Sequence, residues 1–274
     1  MSAWSAEFGR TLAELGLPDV QARRLTEETL GYAAEAGGDP GAVFGPAHAY
    51  ARHLVQELRG VPGPEERRAV TPGAEVLGLT GVGKSFHGRP VLRDVHLSVR
   101  AGQVAAIVGA NGAGKSTLLR ICAGLLRPDT GRVARRGRAG FVPQDGGTND
   151  LLTAQEHFVL FGAAAGMSAR RAVSTGSHLA AQLSWRPDPT VRVGQLSGGT
   201  RQKLSLVLGE LHAPDLLLLD EPYQGFDQGT YLDFWNQVWR WRAAGKAIVL
   251  VTHLLHELDQ VDHVVDLVPI EEGR

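Results

Sequence analysis

A single cysteine, Cys122, in 274 residues leaves no second thiol to pair with. An internal disulfide framework and a cysteine-based structural zinc site are therefore excluded, and this usage fits a reducing cytoplasm. Long apolar runs are missing as well. Spanning a bilayer takes about 20 consecutive apolar residues, whereas the longest candidates, Leu216 to Leu219 and Ala247 to Val251, are short and strand-like. The chain is not expected to cross a membrane alone. Its first residues, Met1 to Glu7, lack both a basic n-region and an apolar h-region, which argues against secretion. There is no excess of either charge: Lys+Arg 28 against Asp+Glu 29 gives a net charge of −1. A broad electrostatic footprint for nucleic acid is absent, and no nucleic-acid partner is expected. Tandem repeats, low-complexity tracts and sustained heptads are absent too.

What is present divides into two parts. Residues 1–60 read as a small all-α module of three short helices: Phe8, Leu12 and Leu15 recur at helical spacing, then Val20 to Ala36, then Ala47 to Leu58 behind Pro46. Residues 61–74 are rich in Pro, Gly and charge without periodicity, as a linker would be. From residue 75 to 274 short β-like runs alternate with helical ones. Gln103 to Val108 precedes Ser116 to Leu126, and Leu216 to Leu219 precedes Tyr231 to Ala244 and then Ala247 to Thr252. This alternation predicts an α/β domain with a largely parallel sheet. Between its halves, about 150–212, the pattern is almost wholly helical (Leu151 to Ala165, Ala169 to Leu183, Gly198 to Leu211), as an inserted helical subdomain would be. Trp235 and Trp239 are spaced to share one helix face and read as packing.

The pattern G-x-x-x-x-G-K-[ST] occurs twice, so context must decide between the copies. At Gly109-Ala110-Asn111-Gly112-Ala113-Gly114-Lys115-Ser116 the loop follows a strand-like run, Val104 to Val108, and opens a helix-like one, Thr117 to Ile121. That placement aims backbone N–H groups and a helix N-terminus at phosphate, lets Lys115 reach the β- and γ-phosphates, and offers Ser116 to Mg²⁺. At Gly78 to Ser85 the residues that follow include Gly88 and Pro90, which forbid a good helix. Lys84 therefore belongs to a decoy in a strand and turn. The plain alternative for the first copy is a Gly-rich turn with no ligand.

The apolar run Leu216 to Leu219 ends in Asp220-Glu221-Pro222. A buried strand of this kind delivers carboxylates to the end of an α/β sheet where ligands bind. Asp220 is placed to stand behind Mg²⁺ and Glu221 to polarise an attacking water. Two solvated acids at a strand end are the alternative. Upstream lies Leu196-Ser197-Gly198-Gly199-Thr200-Arg201-Gln202-Lys203, a Gly-containing turn that opens a helix and offers a hydroxyl and backbone N–H groups to phosphate.

With this segment the chain resembles the ATP-binding cassette (ABC) proteins, over about residues 75–270 and with the motifs in the family's order. The resemblance implies a P-loop NTPase core with a largely parallel sheet, an antiparallel β portion and an inserted helical subdomain. It implies MgATP hydrolysis, with ATP and Mg²⁺ as cofactors. Phe86 matches the aromatic, usually Tyr, that stacks on adenine; a core Phe is the alternative. Gln144, in Phe141-Val142-Pro143-Gln144, matches the glutamine that contacts Mg²⁺ and water. Asp227 matches the acid at the dimer seam, and His253 the histidine that touches the γ-phosphate. Ser197, Gly198 and Gly199 are expected to face the ATP of a second copy. The expected binding set is thus Phe86, Gly109, Asn111, Gly112, Ala113, Gly114, Lys115, Ser116, Thr117 and Ser197 to Gly199. The catalytic set is Lys115, Gln144, Glu221 and His253, and the metal set Ser116, Gln144 and Asp220. Thr200 stands where Gln is commonest in the family, and Tyr223-Gln224 where Thr and a small residue are usual.

The leading functional expectation is the ATP-hydrolysing subunit of an export-type transporter. It would work as a homodimer beneath a separately encoded transmembrane permease, peripherally on the cytoplasmic face of the membrane. The alternatives are soluble cassette ATPases acting in translation, DNA maintenance or cofactor assembly. Translation members usually carry two cassettes, whereas this chain has one complete set. DNA-maintenance members insert long coiled coils, whereas only about 80 residues separate Ser116 from Ser197. The segment from Phe44 to Leu54 weakly resembles small helical modules found beside bacterial membrane proteins; a helical add-on that packs on the cassette is the alternative.

Overall fold

The computed structural model describes residues 3–35, 39–59, 73–145, 147–223, 226, 228–252 and 260–270. The chain forms two compact units, Met1–Gly63 and Pro64–Arg274. Most of the expected linker, residues 60–72, lies outside the described residues.

The first unit contains α1 (Ala3–Glu14), α2 (Asp19–Glu35), α3 (Pro40–Phe44) and α4 (Ala47–Arg59). The short α3 goes beyond the three expected helices. Asp39 caps it by accepting from the Gly41 N–H at 3.0 Å, and Pro40 supplies the helical φ at its start. Phe8 and Leu12 are fully buried one turn apart on α1, and Ala51, Leu54 and Val55 of α4, which packs against α1, are buried as well. An aromatic cluster closes the unit's core. Phe8 stacks on Trp4 and on Tyr50, Tyr50 stacks on Phe44, and the Trp4 Nε1–H donates to Gly45 O at 2.8 Å.

The described residues of the second unit form two sheets. An antiparallel one is built from β1 (Glu75–Phe86), β2 (Arg89–Arg100) and β4 (Thr130–Arg135), in the order β2-β1-β4. The other contains β3 (Val104–Gly109), β5 (Ala139–Val142), β6 (Leu216–Asp220), β7 (Ala247–Val251) and β8 (His263–Leu267). Its order is β5-β6-β7-β3-β8 and every pairing is parallel. Continuous apolar runs in β6 and β7 are buried at every position, as expected of parallel strands covered on both faces. The helix α5 (Lys115–Ala123) follows β3 and buries Leu118, Leu119, Ile121 and Cys122 against this sheet. Burial pushes the Cys122 thiol up to about 12, so it serves as a small apolar filler.

Three helices make up the expected subdomain: α6 (Ala154–Ala164), α7 (Ala169–Gln182) and α8 (Gly198–Glu210). The first begins three residues later than the apolar pattern suggested. Thr153 sets its start through a capping box, accepting from the Glu156 N–H while the Glu156 carboxylate accepts from the Thr153 N–H at 2.7 Å. The helix α9 (Gln228–Ala243), which follows β6, buries Trp235 and Trp239, whose rings stack at 5.5 Å. Among the described residues no helix is long and apolar enough to cross a membrane.

Candidate nucleotide site

The C-terminal ends of β3, β5 and β6 bring the candidate site residues together, as the topology of an open parallel sheet requires. From β3 the chain turns through Gly109 to Gly114 directly into α5. Gly114 has φ +94°, and a Cβ there would come within 2.8 Å of Val91 Cγ1 and 2.9 Å of Leu92 Cδ2, so glycine is obligatory. The turn closes around its own lysine. Lys115, 6% exposed, donates from Nζ to Gly109 O at 2.8 Å and to Ala110 O at 3.0 Å. An ammonium has three N–H groups, so one remains for a ligand in the cavity.

That cavity, of about 610 Å³, is lined by Phe86, Val91, Asn111, Gly112, Gly114, Lys115, Ser116, Thr117, Gln144 and Glu221. The Phe86 ring is exposed at its wall, at the end of β1. Gly109 and Ala113 shape the loop from behind: a Cβ on Gly109 would come within 2.3 Å of Leu267 O, and Ala113 is buried in the core. Val91 is the lining residue that motif reasoning misses. Only the β1–β2 hairpin, pairing Ser85 with Pro90, carries it beside the loop.

At the end of β6, Asp220 is buried and its Oδ1 accepts from Ser116 Oγ at 3.2 Å. Burial pushes the Asp220 carboxyl above its ordinary range; the Ser116 hydrogen bond opposes this and the charge of Glu221 adds to it. A hard cation beside these two oxygens would relieve that penalty, so the donor set fits Mg²⁺. Glu221 leaves the strand with φ +47°, uncommon for a residue with a side chain, and turns its carboxylate into the cavity. There its Oε2 accepts from Gln144 Nε2 at 3.0 Å, Gln144 coming from just past β5.

The second copy of the loop pattern, Gly78 to Ser85, lies inside β1. Lys84 forms an ion pair with Asp129 at 2.6 Å and lies 5.6 Å from the Phe86 ring centroid. The Lys84 hydrogen bond holds the Asp129 carboxyl below its usual range. Ser197 is exposed at the N-cap of α8, where its Oγ accepts from the Thr200 N–H at 3.3 Å and lies 2.9 Å from Thr200 Oγ1. Ser197, Gly198 and Gly199 do not line the cavity. Asp227 and His253 lie outside the described residues.

The fold and this loop define a P-loop nucleotide-binding domain. A family profile described as ABC transporter matches residues 92–224. A Nod factor export ATP-binding protein I from Bradyrhizobium diazoefficiens is 34% identical over 195 residues, covering 67% of this chain and 64% of that protein. One of the same name from Burkholderia lata is 33% identical over 205 residues, covering 70% of this chain and 67% of that one. The chain thus spans about two thirds of the length of these relatives. A solved ATP-binding subunit of an ABC transporter superposes with TM-score 0.64 at 26% identity, covering 72% of this chain and 89% of that one. The chain belongs to the ABC transporter family of ATP-binding cassettes.

Proposed function

We propose that this chain binds and hydrolyses MgATP as a homodimer and so drives export through a separately encoded membrane subunit, on the cytoplasmic face of the membrane. The observation that carries the reading is the meeting of Lys115, the Ser116–Asp220 pair and the Gln144–Glu221 pair at one cavity. Phe86 stacks on adenine, the Asn111 to Gly114 loop and Thr117 cradle the phosphates, and Lys115 neutralises them. Ser116 and Asp220 would hold Mg²⁺, with Gln144 beside them; the chemistry such an ion would supply is neutralisation of charge on the phosphate oxygens. Glu221 orients water and accepts its proton. His253 contacts the γ-phosphate and Asp227 lies at the dimer seam, roles that rest on resemblance. Ser197 to Gly199, which do not line their own cavity, serve the ATP of the second copy.

Residues 75–274 are the cassette, with the helical subdomain at about 150–212; residues 61–74 are a linker and residues 1–60 a separate module. Export is supported by relatives named as export ATP-binding proteins. The Nod factor is the cargo named for those proteins; here the membrane subunit would set the cargo. Exposed Leu151, Leu160 and Phe161, on and beside α6, are apolar groups such a subunit could cover.

Phosphate release measured for the parent and Glu221→Gln tests the chemistry, and co-purification from detergent-solubilised membranes tests the partner. A parent rate reduced at least about a hundredfold by Glu221→Gln is expected. Equal rates would refute the catalytic assignment. Recovery of the chain with ribosomes or DNA instead of a multi-spanning protein would favour the soluble alternative.

A further inference from the structure

Resting on the hydrolysis reading above, a second residue of the turn after β6 enters the reaction. Tyr223 follows Glu221 by two positions and stands where the family usually has Thr. Its hydroxyl hydrogen-bonds Thr252 Oγ1, at the C-terminal end of the neighbouring strand β7. Thr252 is itself fixed: it is 1% exposed, and its backbone N–H donates to Ile107 O in β3 at 3.1 Å. The Tyr223 ring is held edge-on by Tyr231 at 5.4 Å and Phe234 at 6.0 Å, both from α9. Its carbonyl accepts from the Phe226 N–H at 3.0 Å.

Glu221 is therefore bracketed. On the β5 side Gln144 grips its carboxylate, and on the β7 side the backbone that carries it is tied down through Tyr223. A turn that must hold a non-glycine residue at φ +47° has a conformational cost, and it persists only where its surroundings over-determine it. We propose that Tyr223 is a positioning residue for ATP hydrolysis: its hydroxyl, bonded to Thr252, fixes the turn that presents Glu221 to the cavity. The hydroxyl touches no reacting atom in this scheme. It acts through the placement of Glu221, and small misplacements of a catalytic group are costly.

Tyr223→Phe keeps the ring and its aromatic contacts while removing the hydroxyl, so the fold is preserved. The expected result is a kcat for MgATP lowered about tenfold, roughly what one ordinary hydrogen bond is worth, with KM within about twofold of the parent. Thr252→Val should do the same, and Thr252→Ser, which keeps a hydroxyl, should restore most of the rate. The Tyr223→Phe/Thr252→Val double variant should be no slower than either single one, because both remove the same bond. A Tyr223→Phe protein that turns over at the parent rate, even with a lowered melting temperature, overturns the assignment. So do single effects that multiply in the double variant, or a KM that rises while kcat holds. A parent chain without MgATP turnover would instead refute the hydrolysis reading, and this one with it.

Discussion

Two lysines sit in identical eight-residue patterns, and their surroundings set their chemistry apart. Lys115 is enclosed by the carbonyls of its own loop at the mouth of a helix. Lys84 projects from a strand, paired with a half-exposed carboxylate. A buried ammonium aimed at phosphate is worth far more than a pair whose carboxylate is half exposed, since pairs screened by solvent are typically worth below about 1 kcal/mol. Lys115→Ala should therefore reduce MgATP turnover at least about a hundredfold and strongly weaken nucleotide binding, while Lys84→Ala should stay within about twofold of the parent. Phosphate-release kinetics and equilibrium nucleotide binding on both variants check this. The reverse pattern would move the site to β1.

One element that starts later than its apolar pattern suggests is α6. Leu151 and Leu152 continue the hydrophobic sequence backwards, but Thr153 accepts from the Glu156 N–H and Glu156 answers to the Thr153 N–H, so the helix begins after them. That hydrogen bond from the Thr153 backbone is the main reason the Glu156 carboxyl lies below its ordinary value of 4.5. A lowered folded value means stability that is fully present above the ordinary value and lost as pH falls through the folded one. Thr153→Ala should cost about 1 kcal/mol near neutral pH. The stability advantage of the parent over Glu156→Gln should hold steady above about pH 5 and shrink below 4.5. Chemical denaturation across pH measures it, and an advantage that grew towards acid would contradict the cap.

At the scale of the whole molecule, Ser197 is the informative residue. It starts α8 on an exposed surface and does not line the cavity that holds Lys115 and Glu221. A second copy would satisfy both halves at once, with two nucleotides at one isologous, two-fold interface. Glu221→Gln, which keeps shape but loses the base, should therefore accumulate an ATP-bound dimer, and adding Ser197→Arg should prevent it by placing bulk and charge at the seam. Light scattering coupled to size-exclusion chromatography in saturating MgATP decides the matter. A Glu221→Gln chain that remains monomeric even with the proposed membrane subunit present would rule out the shared site.

Much of the site could be located along the chain because its parts are local. A loop between a strand and a helix, and two acids at the end of an apolar strand, are written in consecutive residues, so Gly109 to Ser116 and Asp220-Glu221 are legible from spacing alone. Choosing between the two loop copies was also local, since Gly88 and Pro90 prevent a helix after Lys84. The five-residue α3 was less visible, because its one turn depends on a cap and a proline and shows no apolar period. Tertiary structure decided what spacing cannot encode. Gln144 meets Glu221 because β5 and β6 are neighbours in the sheet, though 77 residues separate the two. Tyr223 reaches Thr252 because β6 lies beside β7, and Val91 enters the cavity because the β1–β2 hairpin brings it against Gly114. The sheet order β5-β6-β7-β3-β8 arises from burying several apolar strands together, a cooperative property of the whole unit. Individual motifs name the chemical groups; their distances follow from which strands lie side by side.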